Sequence, residues 1–278
     1  MRSTRWLWGF VGMAALLSTL LFIGGFIYAI RTAVFPEEGN KVQPALPAPT
    51  SALAEDISSS KEINILAIGD SLTRGVGDAT GKGYVERVKA GLQSSLGKET
   101  YVWNLAISGA KTADLLEQLD HTNTSARMQD YTKQANVILL TIGGNDMFQM
   151  GVKDDKSPLN PNEMAFDLDL LKKNMPAALE QLDQILTRIS KLNPKARIMY
   201  VMFYHPFLDY DTERVGSLFV QAWEGKAFEI ANRLGNVTVV PTYDLFQQVP
   251  VKYLYTDHFH PNPDGYERIA ERVLQALN

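Results

Sequence analysis

Apolar positions along the chain fall into two regimes. From Trp6 to Ile30 they run for 25 residues without a charge, among them Leu7, Phe10, Val11, Leu16, Leu17, Leu20, Leu21, Phe22, Ile23, Phe26 and Ile27. Beyond residue 62 they recur instead as short blocks separated by amphipathic stretches. As a helix, the first run exceeds the roughly 30 Å hydrocarbon core of a bilayer, and Trp6, Trp8 and Tyr28 near its ends suit the two interfaces. Arg2 and Arg5 precede it and only Arg31 follows closely, which predicts an inside N-terminus and an extracytoplasmic remainder. Residues 1–31 are therefore expected to form a transmembrane anchor in the cell membrane. The competing expectation is a cleaved signal peptide and a secreted product; Arg31-Thr32 is a poor cleavage site, and the better one, Ala52-Leu53-Ala54, lies far beyond the apolar run. Residues 32–62, with Pro36, Pro44, Pro47, Pro49, Ser51 and Ser58 to Ser60 and no periodicity, are expected to be a linker.

In residues 63–278 the blocks Ile63–Ile68, Tyr101–Leu105, Val137–Thr141, Arg197–Met202 and Val237–Val240 are strand-length and mostly apolar, as strands buried on both faces of a parallel sheet are. Helical spacing lies between them. Tyr84–Leu96 puts Val85, Val88 and Leu92 on one face, Leu115, Leu116 and Leu119 mark a second helix, and Leu168–Leu192 carries Leu171, Met175, Leu179, Leu182, Ile185, Leu186 and Ile189. A fourth helix is predicted over about 218–234, and a fifth from Pro263 behind the capping residue Asn262. Strand and helix alternate without an internal repeat. That predicts one α/β domain, a three-layer α/β/α doubly wound sandwich with about five parallel strands.

Composition narrows the chemistry. The 278 residues carry a net charge of −4 and no cysteine, and residues 1–31 hold three arginines and no acid, leaving −7 on the remainder. An acidic domain is a poor nonspecific binder of nucleic acid. Without cysteine there is no disulfide, thiol nucleophile, thiolate-bound metal or acylated lipoprotein anchor.

Ligands of open α/β sheets bind beyond the carboxyl ends of the strands. Each predicted strand end here is followed by a polar cluster: Gly69-Asp70-Ser71-Leu72, Ser108-Gly109, Gly143-Gly144-Asn145-Asp146, Tyr204-His205-Pro206 and Asp257-His258-Phe259-His260. A serine, a histidine, an acid and amide donors on one rim are the ingredients of acyl transfer. Four of these clusters, in order, carry a resemblance. The chain is similar to the SGNH hydrolases, or GDSL-type lipases and esterases, and resembles their bacterial membrane-anchored members over about residues 62–278.

The resemblance implies a flavodoxin-like fold and no cofactor or metal. It further implies Ser71 as nucleophile, His260 as general base and then acid, and Asp257 as the residue orienting the imidazole. The oxyanion hole would comprise the N–H groups of Ser71 and Gly109 and the side-chain amide of Asn145. The substrate would be a small-molecule, lipid or glycan carboxylic ester. The α/β-hydrolase elbow is not matched, because Gly69-Asp70-Ser71-Leu72-Thr73 lacks its second glycine.

Each residue also has a plainer reading. Ser71 taken alone reads first as a helix cap, Gly109 and Gly143 read also as tight turns, Asn145 also as a turn residue, and Asp70 and Asp146 as acids that order loops rather than triad members. His205 and His258 compete with His260 for the role of base, and His121 reads as solvated surface. His258 and His260 lack a third metal ligand. The glycine-rich segment 75–83 fails the phosphate-loop pattern and reads as a flexible loop over the site. Met147, Phe148 and Met150, with Phe203, Tyr204, His205, Phe207 and Leu208, are expected to wall the substrate cleft, or else to cover the edge of the core. Two further functions stay open: an O-acetyl esterase of cell-wall polysaccharide, and a non-catalytic lipid- or glycan-binding module.

Overall fold

The computed structural model describes residues 4–34, 56–120, 122–148, 168–209, 211 and 213–277. It divides into two compact units, Met1–Leu46 and Pro47–Asn278. The expectations for His121, Met150 and the part of the linker between residues 35 and 55 lie outside the described residues.

In the first unit, helix α1 (Thr4–Val34) extends past the predicted anchor at its carboxyl end, because Arg31 and Thr32 end an apolar run without ending a helix. Trp8–Phe26 has a mean hydropathy of 1.9 and enough length to cross a bilayer.

In the second unit, five parallel strands form one sheet: β1 (Ile63–Gly69), β2 (Thr100–Asn104), β3 (Val137–Thr141), β4 (Arg197–Val201) and β5 (Val237–Val240), in the order β2-β1-β3-β4-β5. Their bounds match the apolar blocks to within about a residue. A parallel sheet covered on both faces needs apolar residues at consecutive positions, and every residue of β3 is buried. Helices α3 (Gly83–Leu96) and α11 (Pro263–Leu277) pack together on one face. The other face carries α4 (Thr112–Asp120), α5 (Thr122–Gln134), α7 (Leu168–Leu192) and α8 (Val215–Leu234). Short helices α2 (Ser71–Arg74), α6 (Gly144–Met147), α9 (Tyr243–Phe246) and α10 (Pro250–Tyr253) follow strand ends or loops.

Two details depart from the sequence reading. Helix α5 has no apolar stripe in its polar sequence; Met128 and Thr132 are buried, and Tyr131 stacks on Trp103 at 4.5 Å. The folded domain also starts before Ile63. Asp56 caps a 3-10 turn at Ile57–Ser59 that buries Ile57 in the core, and Asn136 donates to the Ser60 hydroxyl.

Strand order reverses between β1 and β3, whose chains leave in opposite directions and open a crevice at their carboxyl ends. Gly69, the last residue of β1, pairs with Thr141 of β3 in this crevice and has φ +120°. A Cβ there would sit 1.8 Å from the Thr141 carbonyl oxygen. Only glycine lets the chain turn here while the strands stay paired. Gly69→Ala is expected to lower unfolding free energy by roughly 2–4 kcal/mol in urea titration, through strain and lost pairing; an unchanged midpoint and slope would refute this account of the turn.

Candidate active site

The turn at Gly69 delivers Asp70 and Ser71 into the crevice. Asp70 caps α2 by accepting from the Leu72 N–H at 3.0 Å, and its Oδ1 also accepts from the Thr141 hydroxyl at 2.6 Å. Thr141 in turn contacts Thr73, which bonds Tyr84. This buried polar chain fastens the first turn of α2 to β3 and α3. Burial pushes the Asp70 carboxyl above its ordinary range, against the lowering effect of the bonds from Thr141 and Leu72.

Ser71 is the first residue of α2 and only 5% exposed. Its Oγ lies 2.8 Å from His260 Nε2, and His260 Nδ1 lies 2.7 Å from Asp257 Oδ2. The other carboxylate oxygen, Oδ1, accepts the backbone N–H groups of Phe259 at 3.0 Å and His260 at 2.9 Å. Asp257 therefore shapes the loop and orients the ring with one carboxylate. Burial alone would raise its pKa, but the bonds from the His260 ring and these two N–H groups hold it below the ordinary carboxylate range. An ionised Asp257 keeps the proton on Nδ1, which leaves Nε2 as an acceptor facing the serine hydroxyl.

The loop bearing His260 is held from several sides. Leu254 bridges Pro261, and Asn262 donates to the carbonyls of Lys252 and Leu254. The Tyr204 hydroxyl donates to the Phe259 carbonyl, with the Tyr204 ring stacked on Phe246. His258 takes up φ +55°, which turns the backbone between Asp257 and His260.

The glycine-rich segment is fastened, in contrast to the flexible loop expected. Asp78 accepts from Thr80 and from the Gly83 N–H, and it pairs with Arg87. A Cβ on Gly77 would fall 2.8 Å from His260 Cβ and 2.7 Å from the Pro261 carbonyl oxygen, so glycine permits close packing beside the histidine.

Two backbone N–H groups, those of Ser71 and Gly109, donate to no protein acceptor among the described residues. Asn145, in α6 beyond β3, donates through Nδ2 to the Ala110 carbonyl at 2.9 Å, which leaves its second amide hydrogen available. Its neighbour Asp146 accepts from the Thr112 N–H at 3.0 Å and the Thr112 hydroxyl at 2.7 Å. These bonds stitch the Gly109 loop to the loop of α6. Burial pushes the Asp146 carboxyl up, opposed by the bonds from Thr112.

A cleft over Ser71 is lined by Asn145, Phe148, Phe203, Tyr204, Pro206 and Phe259, among others. Of the expected wall residues, Phe148, Phe203 and Tyr204 line it. Met147, His205, Phe207 and Leu208 are buried and outside its lining. His205 is remote from the serine in bonding: its Nε2 contacts Asp211 at 3.0 Å, and its ring stacks behind Phe148 at 5.4 Å. Burial lowers its pKa, partly offset by Asp211, which favours a neutral ring that supports the wall. Phe207 stacks on Phe259 and meets Phe148 edge to face. Pro206 and Phe259 stood in the polar clusters without a role of their own, and Asp211 carried no sequence signal, because an acid in a loop is not distinguished by periodicity.

The sequence profile of the GDSL-like Lipase/Acylhydrolase family matches residues 67–268. The chain is 31% identical over 229 residues to the uncharacterized protein YpmR of Bacillus subtilis, covering 81% of this chain and 85% of that one. It is 26% identical over 216 residues to the spore germination lipase LipC of Bacillus licheniformis, covering 76% of this chain and 94% of that one. Its fold is shared with the crystal structure of the lipase Lip_vut3 from a goat rumen metagenome, at a TM-score of 0.65 and 24% identity, covering 78% of this chain and 97% of that one. Motif order, sheet topology and sequence likeness meet in one conclusion: the chain belongs to the GDSL-like lipase/acylhydrolase family and is a hydrolase of carboxylic esters.

Proposed function

We propose that the protein is a serine esterase or lipase working through an acyl-enzyme on Ser71, held by α1 at the outer face of the cell membrane. The observation that carries this reading is the hydrogen-bonded run from Ser71 Oγ through His260 to Asp257, at 2.8 and 2.7 Å. Ser71 Oγ attacks the ester carbonyl carbon while its proton passes to His260 Nε2. The carbonyl oxygen, now negative, is met by the N–H groups of Ser71 and Gly109 and the Asn145 amide. Collapse breaks the bond to the alcohol, which leaves with the proton from Nε2. Water then gives its proton to the same nitrogen and attacks the acyl carbon, and the carboxylic acid departs as Ser71 regains its hydrogen.

Electrostatic stabilisation of that oxygen is usually the largest single contribution in such a site. The bonds from Asn145 to Ala110 and from Thr112 to Asp146 support it by fixing donors in advance. Phe148, Phe203 and Phe259 give the acyl group an apolar wall. The outward orientation rests on Arg2 and Arg5 before the apolar helix, against Arg31 alone close behind it.

On a water-soluble aryl ester, Ser71→Ala is expected to lower kcat by about 10³-fold or more, and Asn145→Ala by about 10²–10³-fold, with circular dichroism unchanged. Ser71→Ala turnover equal to wild type would overturn the mechanism. In intact cells, added protease is expected to cleave the catalytic domain; protection that persists until the membrane is opened would overturn the orientation.

A further inference from the structure

Apolar side chains left in solvent are unevenly distributed over the catalytic unit. Among its described residues, seven large hydrophobic side chains are exposed: Tyr101, Ile107, Leu218, Val249, Val251, Tyr255 and Phe228. Single exposed residues need no explanation. Here, however, three of the seven fall within Val249–Tyr255, the segment that runs into the loop of Asp257 and His260. Val251 is 60% exposed and Val249 is 52% exposed, on either side of Pro250 at the start of α10.

The carboxyl end of this segment adjoins the loop that bears Asp257 and His260, whereas Val249 and Val251 lie outside that loop. The Tyr255 N–H donates to the His260 carbonyl at 2.7 Å, and the His258 N–H to the Tyr255 carbonyl at 2.9 Å. Its apolar tip also carries cations. Lys252 follows Val251, and the Tyr253 ring is flanked by Lys252 Nζ at 5.1 Å and the Arg268 guanidinium at 4.3 Å. Valines, tyrosines and cations side by side suit the boundary between acyl chains and anionic head groups.

The anchor expected at α1 names the occupant. Twenty-one residues separate Val34 from Asp56, and a chain of that length reaches at most about 75 Å fully extended. A domain so anchored meets head groups at high effective concentration, so a small apolar tip is enough to engage them.

We propose that Val249–Tyr255 docks onto the lipid surface to which α1 anchors the chain, so that the site takes its ester from that bilayer and its substrate is a lipid ester. This rests on the esterase reading above and adds the substrate class.

The test uses the full chain reconstituted in vesicles of phosphatidylcholine and phosphatidylglycerol. Because the natural sequence has no cysteine, Val251→Cys and Tyr101→Cys each accept a single fluorophore, the second at the amino end of the sheet. Spin-labelled lipid is expected to quench the label at 251 at least about threefold more than that at 101; equal quenching would overturn the docking. Val251→Asp is expected to lose about five- to twentyfold in hydrolysis of a long-chain ester embedded in the vesicles, and less than about twofold on a water-soluble aryl acetate. Equal losses on both substrates, or no loss on either, would overturn the inference. If the wild type cleaves the aryl acetate and not the embedded ester, the lipid substrate falls and the esterase reading stands; if it cleaves neither, the esterase reading falls as well.

Discussion

The pairing of Gly69 with Thr141 is the contact on which the rest of the site depends. It lies where the sheet order reverses, and its geometry excludes a Cβ on Gly69. Because β1 can turn there without leaving β3, the serine loop and the asparagine loop open from neighbouring strands into one crevice. The same Thr141 whose carbonyl crowds Gly69 also donates its hydroxyl to Asp70 and bonds Thr73. Strand pairing and the orientation of Ser71 are thus one structural problem with one solution.

Around that contact, aspartates act as fasteners. Asp70 caps the serine helix, Asp146 ties Thr112 to the asparagine loop, Asp78 gathers the glycine-rich loop, and Asp211 holds both His205 and the first turn of α8. Asp257 does the same for the histidine loop while orienting the ring. A carboxylate with two oxygens can accept several N–H donors at once, which suits loops whose backbone has no ladder partner. Burial raises Asp70 and Asp146, whereas the bonds to Asp257 outweigh its burial and lower it. Loops held in this way would keep N–H donors aimed before substrate arrives, and such preorganisation is usually the largest single contribution to rate in acyl transfer.

Much of this was legible in the sequence. Strands buried on both faces must be apolar at successive positions, so their five blocks could be bounded closely. Polar clusters after the first four strands then located the rim, and the spacing of Asp257 and His260 placed a carboxylate and an imidazole on one loop. Other features left no such trace. Helix α5 is held by Met128, Thr132 and one stacked tyrosine, too few apolar positions for a periodic signal. The partnership of His205 with Asp211 depends on a loop conformation that no periodicity encodes, so His205 read as a cleft residue when it supports the cleft from behind. The glycine-rich segment read as flexible because glycine is permissive; its order comes from Asp78 and Arg87, which sequence spacing does not connect.

The central claim is that ester cleavage passes through a covalent bond at Ser71. Intact-mass spectrometry with peptide mapping, after rapid quenching of the wild-type protein with an activated ester that deacylates slowly, addresses it most directly. The account predicts one acyl group per chain, mapped to Ser71, formed and lost at rates that support turnover. An acyl group on another residue at those rates, or steady turnover in which Ser71 never carries one, would contradict it.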